Sequence, residues 1–329
     1  MTDAELLQEF GTPGLPDSVT PVPPEERVVG IAYTNWHGDA PWGEVWGTPE
    51  LGQYSSYDRA VIRQHAEWLY DAGVDFVWLD WSNNVNYVPG ESPERGGHHR
   101  IETATAILFE EYSKLEKRPK ISLFIGVTGA PESITDGRLQ RKADQVYDMY
   151  VANPSYRPLL QDHLGKPLLV VYVDTPTPCP GRAPDWDDDR FTVRWMTGFV
   201  TEQGSIRTDD LISKYGYWSW EDRGKQTVTI HDGHPESMVV VASWRKQADE
   251  PGDPGWIPPG LRRDGQTFHE QWARARALGP KFVTVVSWNE WVTGEQPSPE
   301  NSKDIEPSKE FGHKYLNQLK AEIAAFKGR

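Results

Sequence analysis

The sequence predicts a (β/α)₈ barrel, a TIM-type α/β fold in a single domain with extended βα loops. Three observations carry this. Eight short apolar runs have strand length. Helical patterns separate several of them. The chain has 329 residues, where a barrel typically needs about 250 and more with insertions. The runs are almost continuously apolar rather than alternating, which marks strands buried on both faces, as in parallel sheet. A doubly wound open sheet is the alternative arrangement of the same pattern.

Residues 1–27 contain five prolines and read as an irregular lead segment, so the barrel is expected over residues 28–329. The run at 28–35 (VVGIAYTN) is the first strand. A loop rich in Gly, Trp and Pro follows. Residues 58–72 place Val61, Ile62, Ala66 and Leu69 at helical spacing, and Gly73 is a helix stop. The second strand is 74–80 (VDFVWLD), then a helix over 101–115 and a third strand at 121–127 (ISLFIGV). A helix over 138–151 precedes the fourth strand, 168–174 (LLVVYVD). Strands five and six are expected at 191–199 and 215–220, in a region with few helical signals. The seventh is 238–244 (MVVVASW). A helix over 267–278 stops at Gly279-Pro280, 282–288 (FVTVVSW) is the eighth strand, and 311–326 closes the chain as a helix.

Composition excludes several classes. A net charge of −15 disfavours nucleic acid and anionic lipid as partners, since both need a basic face. No run approaches the roughly 18 apolar residues of a membrane span. Residues 1–10 lack the basic and apolar parts of an export signal, which points to the cytoplasm if the chain is whole. A chain trimmed of its leader would look the same and would belong outside. The single cysteine, Cys179, excludes an intrachain disulfide and has no second Cys for a metal pair. Nothing in the sequence sets the oligomeric state or asks for a cofactor.

Barrel active sites lie at the C-terminal ends of the strands. Here those ends carry Tyr33, Trp36 and His37; Asp80, Trp81 and Asn83; Asp174; Trp220 and Glu221; Trp244 and Arg245; and Trp288, Asn289, Glu290 and Trp291. Tryptophan beside acids and amides suits a sugar, because flat rings stack on its C–H faces and polar groups bind its hydroxyls. Each residue also has a plainer reading. Asp80 could cap a βα loop, Asp174 could form a turn, Glu221 could be solvated surface, and Arg245 could sit in an ordinary salt bridge. Glu290 stands out, because it follows an apolar strand and lies between two tryptophans.

The segment 287–307 (SWNEWVTGEQPSPENSKDIEP) resembles the C-terminal motif of glycoside hydrolase family 99, the endo-α-mannosidases, and of the related family 71 and 99 type bacterial proteins. The matching steps are Asn289-Glu290-Trp291, Gly294 and Ile305-Glu306-Pro307, with 312–316 (GHKYL) beyond. Residues 54–65 and 72–75 resemble the family's first helix and second strand. The resemblance covers about a third of the chain and implies a barrel that cleaves α-linked glycosides. It implies that Glu290 is the base that acts on the sugar 2-hydroxyl, and that Glu306 belongs to the binding region. The family's acid/base glutamate, three residues after that base, falls on Thr293, which cannot protonate a leaving group at neutral pH. Glu295, or Asp80, Asp174 or Glu221 on another strand, would have to serve instead. The inserted stretch 296–303 points to a divergent subfamily with a different substrate.

The expected function is therefore a glycosidase acting on an oligo- or polysaccharide, with Glu290 and one of Glu295, Asp80 or Glu221 as catalytic carboxylates. Tyr33, Trp36, Trp81, Trp220, Trp244, Trp288 and Trp291 are the expected sugar walls, and His37, Asn83, Asp174, Arg245, Asn289 and Glu306 the expected polar binders. The rivals are a carbohydrate-binding barrel without catalysis and a metal-dependent hydrolase using His37, Asp80 and His98 or His99.

Overall fold

The computed structural model describes residues 5, 15–92, 97–127, 130–173, 185–199, 206–207, 218–222, 226–244, 259–292, 294 and 296–329. The chain runs β1 (Val28–Tyr33), α1 (Arg59–Asp71), β2 (Phe76–Trp81), α2 (Gly97–Tyr112), β3 (Lys120–Gly126) and α3 (Arg138–Val146). It continues through β4 (Asp162–His163), β5 (Lys166–Val173), β6 (Thr192–Phe199), β7 (Ile206–Arg207), β8 (Trp218–Glu221), β9 (Val228–His231) and β10 (His234–Val241). It ends with α4 (Gln266–Leu278), β11 (Phe282–Val286) and α5 (Lys314–Phe326).

Parallel ladders join β10, β11, β1, β2, β3, β5, β6 and β8 in that order. The free edge of β8 packs against β10, so the sheet nearly closes into a (β/α)₈ barrel. Strand order follows chain order around the ring, which excludes the doubly wound alternative.

Local chemistry explains the elements. The Asp58 side chain accepts from the Ala60 and Val61 amides at the start of α1, and Gly73, at φ 87°, follows its end. The α1 face bearing Val61, Ile62, Ala66 and Leu69 is buried against the sheet. Two hairpins at the N-terminal end of the barrel had not been expected: β4 with β5 and β9 with β10. Their turns, Leu164-Gly165 and Asp232-Gly233, have positive φ at both central residues, the geometry that matches strand twist. Asp-Gly before an apolar run is a hairpin signal, so β9 was readable from the sequence. The lead segment is held across the same end. Val22 is buried and donates its amide to the Gly279 carbonyl, and the Arg27 guanidinium reaches the Phe326 carbonyl.

The core has two layers, set by alternation along the strands. One lies between sheet and helices and contains Ile31, Leu79, Trp81, Trp195 and Trp288. The other fills the barrel lumen with Phe76, Trp78, Phe124, Val170, Met196, Trp218, Trp220 and Phe282. Gly30 faces this lumen, and a Cβ there would lie 2.3 Å from the Phe76 ring. Gly30→Ala is therefore expected to cost about 1–3 kcal/mol through overpacking, read from chemical denaturation.

Candidate active site

The floor of the lumen is an ion network. Arg194 of β6 donates from Nε and Nη2 to the Glu236 carboxylate, and the Trp218 indole and His163 Nε2 complete the set. Burial would raise the Glu236 carboxyl, but the hydrogen bond from His163 and the charge and donors of Arg194 outweigh it and hold it well below the ordinary range. Above this floor lie aromatic rings. Trp220 stacks on Phe124 with centroids 5.4 Å apart, and Trp78 tilts against both.

At the C-terminal mouth the lumen becomes acidic. Asp80 continues the inward parity of Phe76 and Trp78 on β2 and is buried, with Ser82 donating its amide at 2.8 Å. Burial raises its carboxyl above the usual carboxylate range, and the Ser82 hydrogen bonds and the charge of Lys303 only partly offset that. Glu290 places an oxygen 3.0 Å from Lys303 Nζ. Glu221, at the end of β8, places one 3.3 Å from the same nitrogen. All three side chains are more than nine-tenths buried, and the ammonium also sits over the Trp220 ring. Two carboxylates from separate parts of the barrel thus flank one cation, whose charge also reaches Asp80.

Glu290 is set by its backbone. Asp304 accepts the Glu290 amide on Oδ1 at 2.7 Å and the Trp291 amide on Oδ2 at 2.8 Å, and also takes the Ser287 hydroxyl and the Trp46 indole. Trp291 has φ +64°, a region that bulky side chains rarely enter. Its ring stacks on Trp46 at 4.5 Å and its indole donates to Glu306, so the surroundings over-determine the strained turn. Buried Arg262 donates to the Asp304 carbonyl and faces the Tyr315 ring at 3.9 Å.

Several expected sugar walls are scaffold instead. Trp81 is fully buried outside the lumen with its indole on Thr105. Tyr33 gives its hydroxyl to His65 Nδ1, Trp288 packs on His65 and Trp68, and Trp291 lies under Trp46, each with almost no exposed surface. The polar binders need the same correction. Asn289 exchanges hydrogen bonds with the Thr34 backbone and meets the Tyr54 hydroxyl. Glu306 is saturated by His65, Tyr54 and Trp291. His37 is buried, which lowers its pKa against the hydrogen bond to the Asn289 carbonyl and the charges of Glu306 and Asp304, so it stays neutral. Together these residues weld the loop after β1 to the segment after β11.

Trp220 and the half-buried Trp244 do border the lumen. Trp36 is half-buried against the outer core, and Asn83 is exposed beside the buried Asn84, which binds His98 and Glu102. Asp174, Arg245, Thr293 and Glu295 lie outside the described residues. His37, Asp80, His98 and His99 do not assemble, and among the described residues no three His, Cys, Asp or Glu side chains form a metal-binding group. Sequence reasoning missed Lys303, Asp304, Trp78 and Tyr172. The two aromatics could have been found by inward parity on their strands. A lysine in a polar insertion carries no such mark.

No family model matches the chain, and no curated protein matches it. Among solved structures it is similar to the GH99 endo-α-mannosidase from Bacteroides thetaiotaomicron in complex with bis-tris propane, at 16% identity over 91% of this chain and 97% of that chain, with a TM-score of 0.58. A second structure of that enzyme matches at 15% identity, with the same coverage and TM-score. A glycoside hydrolase-like protein matches at 14% identity over 98% of this chain and 99% of that chain, also at 0.58. The likeness establishes a fold of the GH99 type. No helix among the described residues is long and apolar enough to cross a membrane.

Proposed function

We propose that this chain is a glycosidase that cleaves a glycosidic bond in an oligo- or polysaccharide, with Glu290 as the ionised carboxylate and Asp80 as the proton donor. The observation that carries the reading is the pairing of Glu221 and Glu290 on Lys303 at the mouth of the lumen, beside the Trp220 ring, with the buried Asp80 within reach of the same charge. Glycoside hydrolysis needs two carboxyl groups in different states: one protonated to release the leaving oxygen, one ionised to attack or to activate the attacking group. Burial favours the protonated form of Asp80, as a donor near neutral pH requires. Glu290 lies against a cation, which favours its charged form. Glu221 holds the other side of that cation. Trp220, Trp244 and Tyr172 supply faces on which a sugar ring can rest. The α-linkage rests on the resemblance around Glu290 and on the GH99-type fold.

The test is hydrolysis of a panel of α- and β-linked aryl glycosides and oligosaccharides by wild type and Glu290→Gln. Cleavage of at least one substrate is expected, slowed about 10²–10⁴-fold in the variant. Sugar binding without cleavage by wild type would replace the hydrolase with a binding barrel.

A further inference from the structure

Lys303 comes from the insertion at 296–303, which departs from the resemblance around Glu290, yet it ends inside the barrel mouth. Its main-chain amide donates to the Gln296 side-chain oxygen at 2.8 Å, so the insertion folds back and pins its own end. Its side chain is almost completely buried. A buried ammonium is costly unless paired, and among the described residues it is paired with Glu290 at 3.0 Å and Glu221 at 3.3 Å. Among the described residues, the charged groups facing it are Glu221 from β8, Glu290 from the segment after β11 and Asp80 from β2. Asp304, its chain neighbour, turns its carboxylate away onto Trp46, Ser287 and the amides of Glu290 and Trp291.

We propose that Lys303 is a positioning residue that separates the roles of the carboxylates: its ammonium, set between Glu221 and Glu290, keeps Glu290 ionised and aimed. The inference rests on the glycosidase reading for its purpose, but not for its test. Two carboxylates facing each other in a dry site without a cation share one proton, because like charges at short range cannot both ionise. A proton held there would disable Glu290 as nucleophile or base. The ammonium between Glu221 and Glu290 removes that competition, while Asp80, which forms no ion pair among the described residues, is raised by burial. The insertion thus supplies to this barrel a charge that no strand end carries.

The experiment is a pH titration of the glutamate side-chain carboxyls by carbon-13 NMR, in wild type, Lys303→Met and Lys303→Arg, with Glu290 assigned from Glu290→Gln. In wild type Glu290 is expected to be ionised from pH 8 down to at least pH 6. In Lys303→Met its midpoint is expected to rise by about one to three pH units, the range set by loss of an adjacent opposite charge. Lys303→Arg is expected to restore most of the wild-type behaviour. Where a substrate is turned over, the acidic limb of kcat/KM should move with that midpoint, whereas a purely structural lysine would lower the rate equally at every pH. A wild-type Glu290 that carries its proton at pH 7 overturns the proposal, even if Lys303→Met does not fold. So does a midpoint that is the same in wild type and Lys303→Met. Because the titration needs no turnover, an inactive protein leaves it decisive. A protein that hydrolyses glycosides with Glu290 insensitive to Lys303 loses this inference alone.

Discussion

Asp304→Ala is expected to destabilise the protein by about 3–5 kcal/mol and, in the fraction that stays folded, to abolish most of the activity. The wild-type carboxylate accepts from four groups: the amides of Glu290 and Trp291, the Ser287 hydroxyl and the Trp46 indole. Asp304 is 1% exposed, so water cannot take over those roles without entering the core. An orphaned buried donor costs about 1–3 kcal/mol, and several here share one acceptor, so the penalties are less than additive. The activity loss has a separate cause. The left-handed turn at Trp291 is held open by the same carboxylate, and without it the turn relaxes and carries Glu290 with it. A displacement of about 1 Å can cost a hundredfold in rate. Denaturant unfolding and kcat normalised to folded protein separate the two effects. Asp304→Ala at wild-type stability would refute the account of the turn. Asp304→Asn keeps the shape but turns an amide donor toward some of these donors, and an intermediate loss is expected.

Glu236→Gln is expected to cost about 3–5 kcal/mol at neutral pH, at the opposite end of the lumen from the carboxylate cluster. It leaves the Arg194 guanidinium buried with no counter-charge, and breaking one side of a buried pair costs more than removing both. Replacing both, in Arg194→Met with Glu236→Met, should recover most of the loss. A double variant no better than the single one would show that packing, not charge, matters there. The same network sets part of the pH dependence. The Glu236 carboxyl is depressed by folding, so its contribution is full above the unfolded glutamate value of about 4.3 and is lost as pH falls below it. His163 and His37 are depressed mainly by burial, so the unfolded chain binds their protons first and stability declines once pH drops below about 6.5. Unfolding free energy should therefore fall in two phases, a shallow one below pH 6.5 and a steeper one below about 4.3. Glu236→Gln should flatten the second.

The aromatic residues at the strand ends divide between the lumen and the outer core. Tryptophans do cluster with acids at the C-terminal mouth, but Trp81, Trp288 and Trp291 are packed away from it, while Trp220 borders it. Composition and adjacency cannot separate these cases, because a residue one position along a strand faces the opposite side of the sheet. Parity could have done so on the regular strands: Asp80 follows Phe76 and Trp78 inward, and Trp81 follows Leu79 outward. Beyond the strand ends parity fails. The segment around Glu290 leaves the ladder, and its direction is set by Asp304, fourteen residues later.

The sequence by itself determined the barrel and singled out Glu290 as the candidate acid, because both are written in local patterns: apolar runs of strand length, helix stops at Gly73 and Gly279, and an acid between tryptophans after the last strand. The tertiary structure alone decided which polar residues meet. Glu306, Asn289 and His37 became braces because their partners come from the other end of the chain: Tyr54 and His65 for Glu306, Thr34 for Asn289, and the Asn289 carbonyl for His37. Lys303 entered the site because an insertion folds back across the mouth, bringing its charge to Glu221, which lies 82 positions away in sequence. A charge is placed by the closure of the whole ring of strands, and no window of sequence contains that closure.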